Sequence, residues 1–354
     1  MYLKNIQALR GIAALLVVGL HLILFGNQKY GLNAPQLNEL AHLFKIGVDI
    51  FFVISGFVMI VTTSRTAKGG HSALKFIARR ITRIYPVYWF VSFLLMPIFL
   101  FRPNWINSGD SIASSLLHSF LLFPHEGTPL LMVGWTLEYE MFFYIVYALS
   151  LLIFPARWRL HFLALWALSG VGIGLVYSFS APLAQLATSP FLLEFLAGAI
   201  LGHLYVSDKY FAPPPWWITF LAVSIPVLMM QDWLFKVHRV AMFLLPATIC
   251  VYLALVAERR YACTLNKKWQ YLGDISYPLY LIHIPAISAV GKVWIALEMD
   301  GSVLTGTTML AVKLGVCIIS AMVLHHIVEL PTTVALRHVM HLRLHGAIKK
   351  MVGR

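Results

Sequence analysis

Apolar runs separated by short polar stretches recur from one end of the chain to the other. A bilayer-spanning helix takes about 20 predominantly apolar residues. Ten runs approach or reach that length: 6–25, 44–63, 84–101, 134–154, 160–179, 190–206, 215–231, 239–257, 275–297 and 305–330. They predict an all-α polytopic membrane helix bundle of about ten transmembrane helices, in one domain over 1–354 with a C-terminal tail at 332–354. Pro213, Pro214 and Pro215 with Trp216 and Trp217 read as an interfacial lead into the seventh run. The stretch 112–123 is apolar but too short to span, and reads as an external re-entrant or surface segment. The run from Ile12 to Phe25 has no small-residue cleavage site after it, so it reads as a first spanning helix, not a cleavable signal.

Composition agrees with the pattern. Hydrophobic residues make up 60% of the 354 and charged residues 12%, against about 25% charged in a soluble chain. That excludes an ordinary soluble enzyme and a disordered chain. Cys250, Cys263 and Cys317 contain no CxxC pair, which argues against a disulfide framework and a cysteine metal site. No metal is expected.

The net charge of +13 is a matter of placement. With the N-terminus placed in the cytoplasm, twenty of the 27 Lys and Arg fall on the cytoplasmic side of the ten runs. Four fall opposite (Lys29, Arg102, Lys236, Arg239), and three sit within or at the edges of runs (Lys45, Lys292, Lys313). This is a strong positive-inside bias. It predicts cytoplasmic N- and C-termini and contact with anionic lipid at that face, and it points away from nucleic acid.

Ionisable groups inside such a chain are costly and usually functional. Arg10 and His21 are 11 residues apart, three helical turns plus about 20°, so they share a face about 16.5 Å apart along the axis. Arg80 and Arg83 are i and i+3 in Arg79-Arg80-Ile81-Thr82-Arg83 and also share a face. A guanidinium there is either a plain cytoplasmic flank or a bidentate phosphate ligand. Asp49, Glu138 and Glu140 are expected near the outer face, with Glu138 and Glu140 pointing apart. Ser276, Tyr280 and His283 form one stripe, Asp274 reads as the N-cap of that helix, and Glu329 follows His325 and His326 by one turn. Lys313 lies deep in the tenth run, and the sequence supplies no reason for it.

Five blocks now resemble acyltransferase family 3, the bacterial membrane O-acyltransferases, in its exopolysaccharide-acetyltransferase-like branch. They are Ala8-Leu9-Arg10-Gly11 with His21; Gly47-Val48-Asp49-Ile50-Phe51-Phe52-Val53-Ile54-Ser55-Gly56-Phe57; Arg79 to Tyr88; Trp135-Thr136-Leu137 with Glu140-Met141-Phe142-Phe143-Tyr144; and Leu272 to His283. Glu329-Leu330-Pro331 adds a short match. Together they cover 8–331. The resemblance implies that Arg10 and His21 are the family's Arg-x10-His pair, and that Arg80 and Arg83 are its Arg-x-x-Arg pair. It favours Glu140 over Glu138, which stands where the family has a small polar residue.

The resemblance also implies an acyl-CoA donor, most often acetyl-CoA, supplied from the cytoplasm. The acceptor would be a hydroxyl of a polysaccharide or lipid-linked glycan, and the location a bacterial inner membrane. Arg10, Arg80 and Arg83 would then meet the donor's phosphates. His21 would deprotonate the hydroxyl or carry the acyl group itself. Asp49 or Glu140 is expected to orient His21. Two other readings stay open: a transporter or flippase, which buried ionisable groups also suit, and a non-catalytic partner in a polysaccharide assembly complex.

Overall fold

The computed structural model describes residues 2–30, 32, 34–102, 113–207, 239–298 and 303–336. Every regular element among them is helical. In chain order these are α1 (Lys4–Lys29), α2 (Leu37–Leu43), α3 (Ile46–Thr63), α4 (Gly70–Phe101), α5 (Ala113–Leu121), α6 (Gly134–Ile153) and α7 (Ala156–Val176). There follow α8 (Pro182–Ala187), α9 (Leu192–Val206), α10 (Arg239–Tyr261), α11 (Lys267–Asp274), α12 (Ser276–Ala296) and α13 (Val303–Leu324), closed by a π-turn at His325–Glu329. Among the described residues nine helical stretches are long and apolar enough to cross a bilayer. The protein is an all-α polytopic membrane bundle. The seventh sequence run, 215–231, lies outside the described residues.

The third span differs most from its sequence reading. It begins at Gly70, not at residue 84, and runs unbroken to Phe101. Arg79, Arg80 and Arg83 depress the apolar count there, yet guanidiniums facing a polar recess do not interrupt a helix. Asp274 is not the N-cap of the ninth run. It ends α11, whose own N-cap is Asn266, with a side chain accepting from the backbone N–H groups of Lys268 and Trp269. Asp274 instead turns its carboxylate to α1.

Small residues let the central helices touch backbone to backbone. A Cβ on Gly56 would lie 2.0 Å from the Phe195 carbonyl oxygen, and one on Gly198 would lie 1.9 Å from that of Val53. Glycines at such points give close helix approach within a membrane, and here they seat α9 on α3. At the far end of α3, Arg159 is 2% exposed. It donates to the carbonyls of Thr63 (3.1 Å), Thr66 (2.8 Å) and Phe154 (3.2 Å). It thus satisfies carbonyls at the end of α3 that have no helical partner. Segment 112–123 contains α5, whose terminal carbonyls accept from Tyr85, Tyr88 and Trp89 of α4.

Candidate active site

The site begins where α1 meets α11. A Cβ on Gly11 would fall 2.7 Å from the Gly273 nitrogen, and one on Gly273 would fall 1.8 Å from the Gln7 carbonyl oxygen. Only glycine at both points permits this approach. It carries Asp274 to α1, where the carboxylate accepts from Gln7 Nε2 at 2.8 Å. Gln7 Oε1 in turn accepts from Arg10 Nη1 at 3.3 Å. The Asp274–Gln7–Arg10 chain aims the guanidinium away from the helix flank.

Arg10 is one side of a wall completed by Arg80 and Arg83 of α4. On one side of the wall is a recess of about 1220 Å³, lined also by His71, Lys75, Arg79, Asp274, His325 and Glu329. On the other side is an inner pocket of about 90 Å³, lined by Phe51, Ser55, Thr136, Glu140, Tyr144 and Tyr280 among others. Arg10, Val58, Arg80 and Arg83 line both. Arg80 is buried and lies over the rings of Phe76 (5.1 Å) and Tyr144 (5.0 Å). Such stacking orders a guanidinium while leaving its edge free to fork. Arg79 is exposed and reaches the outer recess alone.

Glu140 faces the arginines, not the outer surface expected from its position in the sequence. Its carboxylate accepts from Ser55 Oγ at 3.0 Å and from the Tyr144 hydroxyl. It lies more than a turn inside α6, within reach of guanidiniums rising from the other end. Glu138 points elsewhere, towards His125, whose Nδ1 is 3.6 Å away. The two glutamates therefore serve different surroundings, as their spacing requires.

His21 does not gain the carboxylate partner expected of Asp49 or Glu140. Its partner is His283, at 3.2 Å from Nε2 of His283 to Nδ1 of His21. The tautomers follow from carbonyl neighbours, which can only accept. His283 Nδ1 donates to the Tyr280 carbonyl at 2.7 Å, so its Nε2 carries the lone pair. His21 Nδ1 then donates to the Val17 carbonyl at 2.9 Å and to His283. The lone pair of His21 therefore sits on Nε2. Tyr280 joins this pair to the inner pocket: its carbonyl holds His283, while its hydroxyl bonds Thr136 at 2.7 Å on the pocket wall.

Asp49 is fully buried and forms an ion pair with Arg239, which also donates to the Lys45 carbonyl at 3.0 Å. Glu194 of α9 lies against Asp49, also fully buried. In the sequence Arg239 stands as a flanking cation, and Glu194 is not among the residues singled out there. A lone carboxylate in Phe191-Leu192-Leu193-Glu194-Phe195-Leu196 was the available signal. His283 was seen as part of a stripe, but nothing local marked it as the neighbour of His21.

No solved structure matches the chain. Among curated proteins it is 32% identical over 278 residues to the "Exopolysaccharide production protein ExoZ" of Rhizobium meliloti (strain 1021), covering 74% of this chain and 84% of that one. It is 29% identical over 167 residues to the "Peptidoglycan O-acetyltransferase OatA" of Listeria monocytogenes, covering 43% of this chain and 25% of that one. It is 30% identical over 159 residues to the "Acyltransferase MdmB" of Streptomyces mycarofaciens, covering 42% and 38%. The profile described as "Acyltransferase domain" matches residues 3–326, nearly the whole chain. The chain belongs to acyltransferase family 3 and is a membrane acyltransferase.

Proposed function

We propose that the protein moves an acetyl group from cytoplasmic acetyl-CoA to a hydroxyl of an exported or cell-surface polysaccharide. It would do so in a bacterial inner membrane, with both termini in the cytoplasm. The observation that carries this reading is the arginine wall. Arg10, Arg80 and Arg83 stand between a wide recess at the basic end of the bundle and a narrow pocket whose wall includes Tyr280, the residue whose carbonyl holds His283. The recess has room for a nucleotide, and guanidinium forks suit its phosphates. The pocket is far smaller than the recess, too small for the nucleotide, and would receive only the acyl end of the donor.

The chemistry follows from the tautomers. His21 Nε2 takes the proton of the acceptor hydroxyl. The alkoxide oxygen forms a bond to the thioester carbon, the C–S bond breaks, and the proton held on His21 Nε2 passes to the departing coenzyme A thiolate, which restores the neutral imidazole. Nδ1–H of His21 stays bound to Val17 and His283, so the ring is held in one orientation while charge develops. Glu140 shares the pocket with the arginines and acts there by positioning them, not His21. The pair Asp49–Arg239 braces α3 against α10 on the far side of the pocket.

The glycan acceptor is supported by the names of two relatives, which refer to an exopolysaccharide and to peptidoglycan. Incubation of purified protein with acetyl-labelled acetyl-CoA and polysaccharide tests the reading. Labelled glycan and stoichiometric free CoA are expected. Glycan movement across the membrane without CoA release would favour a flippase, and no activity of either kind would favour a non-catalytic assembly partner.

A further inference from the structure

Lys313 stands in an apolar row. On α13 the residues Met309, Lys313, Cys317 and Ala321 follow one another at four-residue intervals, and each is 0% exposed. A buried ammonium group in a membrane helix is expensive and calls for a partner. Among the described residues Lys313 Nζ has no hydrogen-bond partner. It lies 3.6 Å from the centre of the Tyr30 ring, where a cation is attracted to the aromatic face. Tyr30 closes α1, nine residues beyond His21. Its ring presses on α12 at Gly291, where a Cβ would lie 2.3 Å from the ring.

One turn along α13 from Lys313, Cys317 Sγ donates to the His283 carbonyl at 3.7 Å. One face of α13 therefore touches both helices of the histidine pair: Lys313 meets α1 through Tyr30, and Cys317 meets α12 at His283 itself. An apolar residue at 313 would fill the row but make no attraction specific to the Tyr30 ring that sets the rotation of α13 against α1. A cation over a ring face is directional and fixes that rotation. We infer that Lys313 is a positioning residue, whose contact with Tyr30 locks α1, α12 and α13 in the register that holds His21 against His283. The catalytic consequence rests on His21 being the transferring base. The geometric claim does not.

The test uses full-length protein in nanodiscs. Lys313→Met keeps the length and removes the charge, and Tyr30→Leu removes the ring with the lysine retained. Tyr30→Phe keeps the ring face. Two readouts are taken: kcat with acetyl-CoA affinity, and the histidine ring ¹⁵N signals, assigned through His21→Gln and His283→Gln. Lys313→Met and Tyr30→Leu should shift the His21 and His283 signals and lower kcat by roughly ten- to a hundredfold. Acetyl-CoA affinity should hold, Tyr30→Phe should resemble wild type, and the double variant should be no worse than the poorer single. Unshifted signals with unchanged kcat in the folded fraction would make the contact merely structural and overturn the inference, even where yield falls. So would an equal loss in Tyr30→Phe. Wild-type protein without transferase activity would strike the functional reading alone, because the ring signals need no turnover.

Discussion

His283 Nε2 stands 3.2 Å from His21 Nδ1, with each ring also bound through its Nδ1 to a backbone carbonyl of its own helix. Two helices far apart in sequence, α1 and α12, thus fix one imidazole tautomer between them. His283→Ala should lower kcat while leaving the affinity for acetyl-CoA unchanged, because its contact is remote from the arginine wall. His283→Gln should restore part of the rate by offering an amide oxygen to His21 Nδ1–H. Steady-state kinetics on the two purified variants check this. A loss of acetyl-CoA binding in His283→Ala would contradict the assignment.

Arg80→Ala and Arg83→Ala should each weaken acetyl-CoA binding by about 1.5–3 kcal/mol for every charged hydrogen bond lost. Lysine at either position should recover only part of this, since a point charge cannot fork. Isothermal titration with acetyl-CoA and with free CoA measures both effects. Unchanged affinity in the double alanine variant would reduce the cluster to a topology signal.

Arg239→Ala should destabilise the protein more than any single arginine change at the wall. It leaves Asp49 buried without its ion-pair partner beside Glu194, and such a broken pair costs about 3–5 kcal/mol. Arg239→Ala combined with Asp49→Asn should recover much of that loss. Thermal unfolding in detergent compares the three proteins. Equal stability of the single and double variants would show that the pair does not brace the bundle.

Orientation is open to a separate check. A reporter that is active only outside the cytoplasm should work when fused at Gly127 and fail at Gly69, as the charge bias requires. An active fusion at Gly69 would invert the donor side.

Helical arithmetic was enough to place Arg10 and His21 on one face of a single helix, and Arg80 with Arg83 on another, because those relations are local. It misjudged where α4 starts, since hydropathy penalises guanidiniums even when they face a recess. It also gave Asp274 the wrong partner. Whether that carboxylate caps its own chain or crosses to Gln7 depends on the contact between Gly11 and Gly273, which no local pattern shows. Asp49 with Arg239, His21 with His283 and Lys313 with Tyr30 all join distant segments. An apolar run reveals that a helix spans, but not which helix lies beside it. Glu194 apart, the intramembrane charges stand out in the sequence; their partners do not.

The central claim is that His21 performs the transfer while the arginines hold the donor. His21→Asn separates these roles, because asparagine keeps hydrogen-bonding capacity without basicity. The decisive measurement is acetyl transfer from labelled acetyl-CoA by purified His21→Asn protein, with acetyl-CoA affinity determined on the same sample. The account predicts wild-type affinity with transfer reduced by at least about 10²–10⁴-fold, the usual contribution of a general base. Transfer at most of the wild-type rate would contradict it and leave His21 a structural partner of His283.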